Sequence, residues 1–99
     1  MASYESTMET LDRVCENLTI MAGQLYLGSI EPCMAKVHID SVKRLQDSAI
    51  NSLRYPLTDE QKKRLDMHVN GNNKYFKKVE ELINIKQAEK DAKSQAQPE

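Results

Sequence analysis

DEQKKRLDMHVNGNNKYFKKVEELINIK, residues 59–86, is the stretch on which the fold turns. Leu65, Val69, Asn72, Phe76, Val79 and Ile83 recur at alternating steps of four and three, flanked by Tyr75 and Leu82. That spacing lines one side of an α-helix packed lengthwise against other helices. Thr58-Asp59-Glu60-Gln61 supplies the start: Thr and Gln three residues apart make a capping box, and acids suit the positive end of the helix dipole. The middle carries a conflict, because Asn70-Gly71-Asn72-Asn73 is turn composition. Yet the register stays in phase on both sides, which a true break has no reason to preserve. One continuous helix is the expectation; a kink or a break at Gly71 is the alternative. Asn72 falls on the seam itself. A polar side chain there costs stability but can set helix register or oligomeric state; if the chain turns at Gly71, Asn72 faces water instead.

Upstream, residues 4–27 repeat the pattern with Tyr4, Met8, Leu11, Cys15, Leu18, Ala22 and Leu25, widened by Val14 and Met21. Ser6 with Glu9 offers a capping box, and Gly28 a left-handed stop. A second helix is expected over 31–54, with Pro32 in its first turn. Its inner arc is read as Met34, His38, Val42, Leu45, Ala49 and Leu53. Ala35, Ile39 and Ile50 flank it on one side, Ile30 and Val37 on the other, and Lys36, Asp40, Lys43, Asp47 and Arg54 face solvent. Pro56 ends this helix near Arg54. So short a link between the first two helices forces an antiparallel hairpin. Downstream of Gln87 apolar positions stop. The expectation is therefore an all-α, three-helix domain over residues 1–86 and a polar, disordered tail over 87–99.

Composition narrows the functional classes. Apolar residues make up 39% of the chain, with one Phe and no Trp, against about 45–50% in ordinary domains. Such a thin core is either marginal alone or completed by a partner or a second copy. Fourteen basic and fifteen acidic residues leave a net charge of −1, which gives no general attraction to nucleic acid or anionic lipid. The charges are unevenly placed: residues 1–27 hold four acids and one base, residues 56–86 seven bases and five acids. Oppositely charged helices packed side by side would account for this. No apolar run approaches the ~18–20 residues that cross a bilayer. A polar start, Met1-Ala2-Ser3-Tyr4-Glu5, and only two cysteines fit a reducing, cytoplasmic setting. Asn17-Leu18-Thr19 matches a glycosylation acceptor by chance, mid-helix.

Chemistry is sparse. In an antiparallel hairpin Cys15 and Cys33 stand about nine residues apart in height, ~13 Å, beyond the ~7 Å that a disulfide spans. Cys33 at a helix N-terminus has no neighbouring base. His38 lies in an apolar arc and His68 borders one, the positions of packed histidines. No CxxC, HxxxH or ExxH spacing exists. Asp59-Glu60 and Glu80-Glu81 are helix neighbours that point about 100° apart. No catalytic residue, metal site or cofactor is expected. What remains is a mixed basic and apolar line, Met67, Gly71, Lys74, Lys78 and Ile85, on the outside of the third helix. The expectation is a non-enzymatic helical interaction protein. It would bind a larger protein as an adaptor, chaperone or inhibitor of the kind viruses and phages encode, or pair as a homodimer. The alternative is nucleic-acid binding through Lys62, Lys63, Arg64, Lys74, Lys77, Lys78 and Lys86, weakened by the acids among them.

Overall fold

The computed structural model describes residues 3–53 and 56–96, with side chains described as far as residue 93. Three helices make up the fold: α1, Tyr4–Leu27; α2, Pro32–Asn51; and α3, Asp59–Ala96. They pack as a three-helix bundle in which every pair is in contact, drawn out to 63 × 21 × 17 Å.

Local chemistry sets most helix ends. Gly28, with φ of 72°, closes α1 through its own N–H and that of Ser29, which donate to the carbonyls of Leu25 and Gln24. Pro32 opens α2. Thr58 and Gln61 exchange two backbone-to-side-chain hydrogen bonds of 3.0 and 3.1 Å at the start of α3. One cap differs from expectation. Ser3 caps α1 and Ser6 completes the box, each backbone N–H donating to the other's hydroxyl at 3.1 Å; Glu9 takes no part. The helix begins three residues earlier than a Ser6 cap would allow.

α3 runs unbroken through Gly71. It also passes the expected end at residue 86 and reaches Ala96, so the boundary drawn there is corrected. Residues 88–93 are exposed, as a stretch with no apolar side chain larger than alanine requires. Pairing rather than burial accompanies the extra turns: Gln87 donates to Asp91 at 2.9 Å, Lys86 lies 3.6 Å from Glu89, and Lys90 bonds Glu31 at the head of α2. α2 stops at Asn51 with Ser52 as its cap, short of the expected end at Arg54, and residues 54, 55 and 97–99 lie outside the described residues.

The core takes one stripe from each helix. Val14, Leu18, Met21 and Leu25 meet Ala35, Ile39 and Val42, and Phe76, Val79 and Ile83 close the seam. In α1 this stripe lies toward Val14 and Met21, leaving Met8, Cys15 and Ala22 half-buried. In α2 the correction is larger. Pro32, Ala35, Ile39, Val42 and Gln46 are buried, while Met34, Val37 and His38 are exposed and Leu45 is 44% exposed. The inward face is rotated by about 70° from the expected arc, less than the ~100° between helix neighbours. This orientation keeps the His38 imidazole in water and brings the Gln46 amide inside, where it has partners.

Those partners form a polar node across all three helices. Asn72, 3% exposed, donates from Nδ2 to the Leu11 carbonyl at 3.1 Å and to Gln46 Oε1 at 3.0 Å. Gln46 Nε2 donates to Asn73 Oδ1 at 3.0 Å. Leu11 and Leu65 are buried apart from the main cluster, and the Thr7 hydroxyl is buried with no partner among the described residues. Asn72 thus sits on the seam inside the bundle, bonded to α1 and to α2.

Two outcomes follow. Asn72→Ala leaves the Gln46 carbonyl oxygen short of a donor and should cost about 2 kcal/mol in urea unfolding. The double variant Asn72→Leu/Gln46→Leu should lie closer to the native chain than Asn72→Leu alone, because both polar partners go together. At the other end, hydrogen bonding to Glu31, and then its charge, raises the Lys90 pKa above 10.5. A raised pKa contributes fully below 10.5 and is lost as pH climbs through the elevated value. Glu31→Gln should therefore speed amide exchange over residues 87–96 at neutral pH without touching core amides, and in the native chain the helical circular-dichroism signal should fall slightly as pH climbs above 10.5.

Candidate interaction face between α1 and α3

α1 and α3 run parallel, and their contacts fix which residues stand at equal height. The Leu11 carbonyl meets Asn72, Asp12 lies 3.5 Å from His68, and the Tyr75 hydroxyl donates to Thr19 at 3.1 Å. Near the far end Lys86 Nζ stands 5.8 Å from the centre of the Tyr26 ring, a cation–π contact. Glu16 is therefore level with Lys74, and Tyr26 with Ile85.

Two shallow hollows lie along this side. Asp12, Cys15, Glu16, Thr19, Ile20 and His68 line one; Ala22, Tyr26, Tyr75, Lys78, Leu82 and Ile85 are among those lining the other. The Tyr75–Thr19 hydrogen bond stands between them. The five residues expected to form a contact line all reach the surface. Met67 is 65% and Ile85 54% exposed, and Gly71, Lys74 and Lys78 are exposed between them. Lys78 and Ile85 border the second hollow; Met67, Gly71 and Lys74 continue the same line by helical spacing. A side chain added at Gly71 would meet nothing within 4 Å.

The contribution of α1 escaped the sequence reading. Tyr26 is 73% exposed and Ile20 is exposed as well, so this side carries a broader apolar surface than α3 alone provides. The signal was the acidic bias of residues 1–27. Packing α1 against α3 uses little of it, since His68–Asp12 is the single ion pair between the two helices among the described residues. Neither Glu16, Lys74 nor Lys78 has a partner of opposite charge among those residues.

Other side chains singled out by type are dispersed. Both cysteines are free thiols, Cys15 half-buried beside the first hollow and Cys33 exposed at the head of α2. His38 is exposed on α2, and His68 is half-buried on α3. Among the described residues no three His, Cys, Asp or Glu side chains are gathered as a metal site. No helix among them is long and apolar enough to cross a membrane. Comparison with protein-family models, curated proteins and solved structures finds no match to this chain.

The two thiols give a direct check on placement. Alkylation of the folded chain should modify Cys33 well before Cys15, read by peptide mass spectrometry; equal rates would mean that the α1 seam is open.

Proposed function

We propose that this chain is a helical interaction protein without chemistry of its own, which holds a protein partner against the α1/α3 face. The observation that carries this reading is the concentration of exposed Ile20, Tyr26, Met67 and Ile85 beside unpaired Glu16, Lys74 and Lys78. Scattered apolar residues are ordinary on any surface. Apolar side chains with charged neighbours gathered along one side of a bundle are what docking of a protein partner uses. An adaptor, chaperone or inhibitor needs no more. Two unbridged thiols fit a cytoplasmic location.

Protein is favoured over nucleic acid because two of the seven bases that such binding would use are already paired with acids of α3. Arg64 bonds Glu60 at 2.9 Å and Lys86 lies beside Glu89. A phosphate-binding surface needs a continuous basic stripe.

A photoreactive side chain at position 78 tests the reading in native extract, with position 40 on the exposed outside of α2 as control. Cross-links to protein should form from 78 and not from 40. With the probe kept at position 78, Met67→Ala combined with Lys74→Glu should abolish them while changing stability by no more than about 0.5 kcal/mol. Protein cross-links from 40 alone, or from neither position, would contradict it.

A further inference from the structure

We infer that a second copy of this chain fits the α1/α3 face, the two bundles lying side by side and parallel. The inference rests on that face being a protein-docking surface and names the partner. It comes from where the unpaired charges stand. On α1 the acid without an ion-pair partner is Glu16, at the first hollow, since Asp12 pairs with His68; α3 contributes Lys78, which lines the second hollow with Glu81, and Lys74, exposed on the same line. Because the helices are parallel, Glu16 and Lys74 occupy nearly the same height on the two helices.

A twofold axis along the bundle then sets α1 of each copy opposite α3 of the other, without a shift in height. Glu16 meets the second copy's Lys74 and Tyr26 meets its Ile85. Met67 lies against the second copy's α1 near Met8. Every pairing occurs twice, as an isologous interface requires. A twofold axis across the bundle gives the opposite result. It sets α3 against α3 head to tail, and matching Met67 with Ile85 then brings Lys74 against Lys78, a like-charge contact that opposes association. In the register that matches the apolar residues, charge therefore favours the parallel arrangement. Glycines help it: Gly23 on α1 and Gly71 on α3 are exposed with open space around them, so two backbones can approach closely.

Symmetry makes the test sharp. Glu16→Lys sets lysine against lysine at both pairs of a homodimer; Lys74→Glu sets acid against acid. Mixed together, the two variants form a heterodimer in which both pairs are again opposite in charge. Sedimentation velocity should show the native chain dimeric at micromolar concentration. Each variant alone should weaken association about tenfold or more, and the equimolar mixture should return to near-native association. Circular dichroism should show each variant as helical as the native chain, since both positions are exposed. A native chain that stays monomeric, or a mixture no tighter than its components, would overturn the parallel dimer. Stronger self-association by Lys74→Glu alone would overturn it in favour of the antiparallel one. A monomer that still cross-links a different protein from position 78 would remove the dimer and leave the docking face standing.

Discussion

The Asn72 side chain constrains this bundle more than any apolar contact does. Apolar stripes tolerate rotation of a helix by tens of degrees, because leucine, methionine and isoleucine bury nearly equally well on either side of a seam. A buried amide does not. Two donors on one nitrogen must find two acceptors, and here they lie on different helices, the Leu11 carbonyl of α1 and Gln46 of α2. Satisfying both fixes the rotation of α2 about its axis and the height of α3 against α1 together. Burial of Ala35 and Ile39, exposure of His38, and the level at which Glu16 stands beside Lys74 all follow from that setting.

Helical class, element order and the α3 seam were legible because 3.6-residue periodicity is a strong signal that Gly71 did not interrupt. The orientation of α2 was not. That helix carries apolar residues on both of its possible inner faces, Met34 and Leu45 on one, Ala35 and Ile39 on the other. Hydrophobicity alone prefers the larger residues, and the choice fell to Gln46, a residue that apolar counting leaves out. Leu45, expected inside, lies nearly half in water for this reason. The extra turns of α3 were hidden similarly: their stabilising contacts, Gln87 with Asp91 and Lys90 with Glu31, are polar and partly long-range.

The candidate face was half legible. Its α3 edge could be read as a line of Met67, Gly71, Lys74, Lys78 and Ile85 on one helix. Its α1 edge depends on which helices adjoin and at what relative height, which periodicity within one helix does not contain. Bias toward acid in α1 and toward base in α3 was visible, but suggested attraction between the two within one chain. With α1 and α3 parallel and their charged positions directed outward, most of that complementarity is not used within the chain.

The setting of the three helices is tested most directly at the Asn72 side-chain amide by NMR of the nitrogen-15-labelled chain. Its two protons should exchange slowly, resonate away from the solvent-exposed asparagines, and show nuclear Overhauser contacts to protons of Leu11 and Gln46. Fast exchange at random-coil shifts, with no contact to α1 or α2, would contradict the arrangement on which the seam and the outer face both depend.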